Sequence, residues 1–168
     1  DNLIEHFSSL SNISTDASNM ERINRWKCAV EMFKERPFFG WGPGTYQFQY
    51  APFQFLTDKT IISSNDGDAG NAHSEYLSVL SESGVLGLIF FIALLVMVFV
   101  RIITLYDKVS DPSTKRWLLA ILTSLLSYFI HGFFNNFLDT DKASVAIWAV
   151  IAIVVSIDLV NNKNQLTD

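Results

Sequence analysis

The sequence predicts an all-α integral membrane protein: three transmembrane helices with an irregular, mainly helical extracytoplasmic subdomain. Three observations predict it. Of 168 residues, 49% are hydrophobic and only 17% charged, with a mean hydropathy of +0.25, too apolar for a soluble domain of this length. Uncharged apolar stretches recur through the second half, and roughly 20 such residues cross a bilayer as a helix. The short connections between these stretches differ in basic charge, as expected of loops on opposite sides of a membrane. The same composition excludes other classes. Twelve Lys and Arg against 17 Asp and Glu leave a net charge of −5 with no basic run, which argues against a nucleic-acid partner. The single cysteine, Cys28, permits no internal disulfide, thiolate metal cluster or paired redox motif. The chain opens at Asp1 without a signal peptide and is expected to be a piece of a longer membrane protein.

Residues 1–19, rich in Ser and Asn, read as a linker with a short helix around Leu3 to Phe7. From about Met20 to Glu35, Ile23, Trp26, Val30 and Phe33 fall at helical spacing, so an amphipathic helix is predicted there, ended by Pro37. In the following PFFGWGPGTYQFQYAPF, Gly40, Gly42 and Gly44 permit tight bends. Tyr46, Phe48 and Tyr50 then alternate with Gln47 and Gln49, which predicts an extended segment. A polar loop, SSNDGDAGN, leads to His73 at the start of a helix, HSEYLSVLSESG, that Gly84 bends or caps. Residues 20–84 thus form the outer subdomain. Spans are expected at about 85–105, 117–135 and 143–160, each too long for a buried strand of ~4–8 residues. Residues 161–168 form a tail. The first connection carries Lys108, Lys115 and Arg116 and the second only Lys142, so the first faces the cytoplasm and residues 1–82 lie outside.

The succession ERINRWKCAVEMFKERPFFGWGPGTY, NAHSEYLSVLSESGVLGLIFF and IHGFFNNFLDTDKASVAIW resembles the C-terminal part of the bacterial O-antigen ligase and polymerase superfamily. The resemblance covers most of residues 20–160. It implies part of a polytopic, GT-C-like protein of the bacterial inner membrane, with its late periplasmic loop and closing helices, inactive in isolation from the earlier spans. It further implies transfer of a glycan from a polyprenyl-pyrophosphate carrier such as undecaprenyl pyrophosphate to an acceptor hydroxyl on lipid A-core, glycan or protein, as in lipopolysaccharide biosynthesis. No metal or other cofactor, and no nucleotide sugar, is implied. Ligase and repeat-unit polymerase share this donor chemistry, and the acceptor is not named by the sequence.

The resemblance places two catalytic residues, Arg22 and His73. A pyrophosphate leaving group gathers negative charge that a guanidinium can clamp in bidentate fashion. Arg22 matches the family's Arg, four residues before Trp26, and Arg25, three residues on, is a candidate for the same diphosphate. Both could equally be a solvated helix face paired with acids such as Glu21. His73 matches the family's His-x-x-Tyr/Leu element; a neutral imidazole can accept the proton of an attacking hydroxyl, although a helix-start His can also cap backbone or pack on Tyr76. Glu75 could orient His73 or simply favour the first turn. Among the aromatics of residues 38–55, Trp41 and Tyr46 are candidates for stacking on sugar rings, against the alternative that aromatics gather at a membrane interface. His131, near the outer end of the second span, and Asn135 could line the acceptor path or bond neighbouring helices.

Two weaker signals are read as structural. Asp66-Gly67-Asp68 resembles the start of a calcium loop, but the twelfth position holds Leu77 rather than Glu, which favours a solvated turn. Gly40, Gly42 and Gly44 lack the Lys-Ser/Thr ending of a nucleotide loop. The competing class is a membrane-anchored binding protein without catalysis. Arg22, His73 and the HGFFNN sequence expected on one membrane face argue against it.

Overall fold

The computed structural model describes residues 17–60, 63 and 70–165. The expected helix around Leu3 to Phe7 and the Asp66-Gly67-Asp68 turn lie outside the described residues. Among the described residues five α-helices follow one another: α1 (Ala17–Glu35), α2 (Tyr46–Gln49), α3 (Glu75–Lys108), α4 (Pro112–His131) and α5 (Asp141–Gln165), with 3-10 turns at Ala51–Phe53 and Leu56–Asp58. Among the described residues there is no strand. The chain forms two compact units, one of Asp1–Leu88 with Phe134–Asn136, the other of Ile89–Phe133 with Phe137–Asp168.

In the first unit, α1 takes in Ala17 to Asn19, the last three residues of the stretch read as linker. Its buried face is not the apolar stripe expected from Ile23, Trp26, Val30 and Phe33, which are only half-buried. Glu21, Asn24, Arg25, Cys28, Ala29 and Met32 turn inward instead. The small side chains let the core close on Tyr46, Tyr50 and Ala72, with Trp41, Phe53 and Leu77 packed against them. Asn24 Oδ1 accepts from the backbone N–H of Phe55 at 3.3 Å, and Tyr46 Oη donates to the carbonyl of Arg25 at 2.8 Å.

The extended segment expected at Tyr46 to Tyr50 is a helical turn. Tyr46 and Tyr50, one turn apart, share a face in either conformation and stack with centroids 5.5 Å apart and planes 6° from parallel. Phe48 tells the two apart: a strand would place it beside them, whereas here it is 60% exposed. The helix wins because its first donors have an acceptor. The buried carboxylate of Glu82 accepts from the N–H groups of Gly44 at 2.9 Å and Tyr46 at 2.8 Å, and among the described residues there is no strand to pair with an extended backbone.

Gly84 bends α3, as expected, at φ 68° and ψ −169°. The break frees groups that an intact helix would pair, and the 37–42 loop takes them up. Val85 N–H donates to the Pro37 carbonyl at 2.8 Å, Trp41 N–H to Ser81 O at 3.2 Å and Gly42 N–H to Glu82 O at 2.7 Å. The approach requires glycine on both sides. A Cβ on Gly40 (φ +64°) would lie 2.3 Å from Glu82 backbone, and one on Gly84 would lie 2.4 Å from Phe38 backbone.

In the second unit, α3 continues to Lys108. Asp111 caps α4, accepting from Thr114 N–H at 2.7 Å, with Pro112 in the first turn. Phe129 receives Phe91 and Phe99 edge-on at 6.3 and 6.4 Å. Arg101 of α3 and Asp158 of α5 form a two-pronged ion pair, one arm 2.6 Å long. Glu75–Lys108 and Lys142–Lys163 are long and apolar enough to cross a membrane. The stretch expected to cross at 117–135 falls largely in α4, which starts at Pro112, takes in Lys115 and Arg116 and ends at His131; among the described residues it is not one of the helices long and apolar enough to span a membrane. The expected tail begins inside α5, which reaches Gln165.

Candidate functional site

The first unit gathers several of the sequence-predicted residues around the N-terminal end of α3. Arg22 and Arg25 lie three residues apart on α1 and do different work. Arg25 is 3% exposed. Its Nε donates to Glu21 at 2.7 Å, and its guanidinium lies 3.8 Å over the centre of the Tyr50 ring. Burial alone would lower its pKa, yet the Glu21 hydrogen bond and the electron-rich tyrosines hold it raised. Ser63 Oγ donates to the other Glu21 oxygen, and Gly70 leaves the space the guanidinium needs: a Cβ there would sit 1.8 Å from a guanidinium nitrogen. Arg22 is only partly buried, and its Nη1 donates to the carbonyl of Phe134 at 3.3 Å.

His73 lies two residues before the start of α3 in a left-handed conformation, φ +48°, which non-glycine residues seldom adopt. Two neighbours hold it. Its N–H donates to Asn71 Oδ1 at 3.0 Å, an Asx turn. Its carbonyl accepts from Trp26 Nε1 at 3.2 Å, and the Trp26 ring packs on Phe134 at 6.1 Å. Backbone strain of this kind persists where surroundings over-determine it and is concentrated at working sites. Partial burial lowers the imidazole pKa from its ordinary 6.5, the charges of Arg22 and Arg25 lower it further, and Glu21 opposes them. The shift favours the neutral ring, the form able to accept a proton.

The segment Phe134 to Asn136 completes the arrangement. Besides the Arg22 and Trp26 contacts to Phe134, the N–H of Glu75 donates to Asn135 O at 3.2 Å, and Asn71 Nδ2 donates to Asn136 O at 3.3 Å. Glu75, buried in the first turn of α3, thus has its backbone donor satisfied, and Asn135 contributes its carbonyl to that bond. Tyr46 belongs to the packed interior, and Trp41, partly buried, packs against it. Trp41 Nε1 donates to Met32 O at 2.9 Å with its ring edge-on to Phe53, and Tyr46 is 2% exposed, its ring face covered by Tyr50. His131 ends α4 in the second unit, exposed, its ring parallel to Phe137 within 15° at 6.1 Å.

Sequence reasoning missed Trp26, Asn71 and Glu82 as positioning groups. Asn71 was detectable, because an Asn two residues before a helix-start His is an Asx-turn pattern. Trp26 had been counted only as an apolar helix position, and Glu82 carried no signal, since its partners are backbone donors distant in sequence. A basic group held toward its neutral form, with cationic charge beside it, suits a hydroxyl acceptor and an anionic donor.

The model of the family described as O-antigen ligase matches residues 2–92. No curated protein and no solved structure gives a significant match. The matched stretch is more than half of the chain and contains Arg22, Arg25, Trp26, Asn71, His73 and the Gly84 bend, and the chain belongs to the O-antigen ligase family.

Proposed function

We propose that this chain carries the catalytic residues of a membrane glycosyltransferase that moves a glycan from a polyprenyl-pyrophosphate carrier to an acceptor hydroxyl. The observation that carries the proposal is the meeting of Arg22 and His73, distant in sequence, around Trp26 and Phe134. The imidazole accepts the proton of the acceptor hydroxyl as its oxygen bonds to the anomeric carbon and the bond to the pyrophosphate breaks. The Arg22 guanidinium neutralises charge developing on the departing pyrophosphate, without a metal. Arg25, paired with Glu21, maintains the positive field rather than gripping substrate. In this reading α4 is a third crossing, residues 1–82 face the periplasm, and the protein sits in the bacterial inner membrane.

The full-length protein, in liposomes with a polyprenyl-pyrophosphate oligosaccharide, a lipid acceptor and a chelator, tests this by gel and mass spectrometry. Transfer to the acceptor identifies a ligase, and a longer glycan on the carrier identifies a polymerase. Loss of product in His73→Ala by ~100-fold or more supports the assigned base, and undiminished turnover removes it from the mechanism.

A further inference from the structure

We propose that Phe38 and Phe39 form a wedge that enters the lipid bilayer surface beside the point where α3 enters it. The two are 65% and 78% exposed, although the loop carrying them is tightly held. Pro37 O, Trp41 N–H and Gly42 N–H are each bonded to the bend of α3, and Gly40 and Gly84 lie against the opposing backbones. The next aromatic, Trp41, turns inward onto Met32 and Phe53. The outward aim of the two phenylalanines is thus built in.

Their position names the occupant. Phe38 backbone lies against Gly84 and Pro37 O receives the N–H of Val85, where the charge-free run from Val85 to Val100 begins. That run belongs to a helix long and apolar enough to span a membrane. Two exposed phenyl rings level with the first turn of such a run lie at the depth where aromatic side chains partition into a bilayer interface. Leu86, on the helix itself, is also exposed at 39%, continuing the apolar surface. Arg36, immediately before the loop, holds its guanidinium 4.1 Å over the Trp41 ring, a cation placed to meet lipid phosphates.

The test labels Phe39→Cys, and separately Phe38→Cys, with an environment-sensitive fluorophore in the full chain. The chain is reconstituted in phosphatidylethanolamine–phosphatidylglycerol vesicles. Cys28, the chain's single thiol, is fully buried with its pKa pushed up by burial to about 11, so it does not compete at neutral pH. Lys34→Cys on α1 serves as the aqueous control and Phe90→Cys within α3 as the membrane control. The labels at 38 and 39 should emit to the blue of the label at 34. Lipids carrying a nitroxide high on the acyl chain should quench them several-fold more strongly than the label at 34, and aqueous iodide several-fold less. Iodide quenching equal to that at 34 would overturn the wedge, as would shielding from both quenchers, which would mean a protein partner or a second copy. If the label at 90 also escapes the lipid quencher, the crossing by α3 fails together with the wedge; quenching at 90 alone removes only the wedge.

Discussion

Helix α1 buries an ion pair and α5 exposes its hydrocarbons. In α1, Glu21, Asn24 and Arg25 are each less than 7% exposed, while in α5 Val145, Trp148, Val155 and Leu159 are each at least 50% exposed. One rule accounts for both. A buried polar group is tolerated when it is hydrogen-bonded, and the Glu21–Arg25 pair has Ser63, Tyr50 and a fitted space at Gly70 around it. An exposed apolar face is tolerated when the surroundings are themselves apolar, and α5 is long and apolar enough for those surroundings to be a bilayer. Inside and outside are therefore defined by the solvent each unit meets, not by residue type.

The contrast can be broken first at the buried pair. Glu21→Ala leaves a cation inside the first unit without its carboxylate, and stability should fall by about 3–5 kcal/mol, read as a lowered unfolding midpoint. The Glu31–Lys34 pair on the same helix, with side chains 36% and 61% exposed, is the control: Glu31→Ala should cost under ~1 kcal/mol. Equal effects would mean that the buried pair is not holding α1 in place. On the other side of the comparison, Val155→Lys adds one charge to the exposed face of α5, and membrane insertion should become less favourable by about 3 kcal/mol. An unchanged insertion fraction in a glycosylation-tag assay would show that this face does not meet lipid.

The two arginines of α1 sharpen the comparison further. Arg22→Lys keeps the charge and loses the planar fork, so transfer should fall at least tenfold, about 1.4 kcal/mol of barrier, with little change in unfolding midpoint. Near-normal turnover would remove Arg22 from the mechanism. The smallest effect concerns His73. Its pKa lies below 6.5 in the folded protein because of burial and the nearby cations, so the neutral base persists as pH falls through 6.5, and activity declines only at lower pH. Protonation is correspondingly disfavoured by the fold, so any stability linked to this ring is present above pH 6.5 and lost in acid. Arg22→Gln removes one of the depressing charges, and the acid limb of the remaining activity should move upward; an unmoved limb would mean that the charge at 22 does not reach the ring.

Much of the fold was legible from local pattern. The long apolar runs predicted α3 and α5, Gly84 predicted the bend, and His73 was expected at a helix start; each depends on periodicity, hydropathy or the special freedom of one residue. At Tyr46 to Tyr50, alternation was ambiguous because i and i+4 share a face in a helix as well as in a strand, and the Glu82 carboxylate, remote in sequence, selected the helix. The face of α1 was misjudged for a related reason. Apolar spacing marked Ile23, Trp26, Val30 and Phe33, but the neighbouring surface offered hydrogen-bond partners and tight space, which favoured the polar and small stripe. The candidate site was half legible: Arg22 and His73 were singled out, whereas their meeting depends on Trp26, Asn71 and the Phe134 to Asn136 backbone.

Residue order alone was enough for helix content, the bend and the apolar lengths that call for a membrane, because these follow from interactions within a few residues along the chain. Tertiary packing decided which α1 face is buried, which arginine is sequestered and which remains available, and how His73 is held in a left-handed conformation. Those outcomes rest on backbone carbonyls and N–H groups from distant segments. Every residue but proline carries both groups, so no side-chain pattern announces which of them will meet.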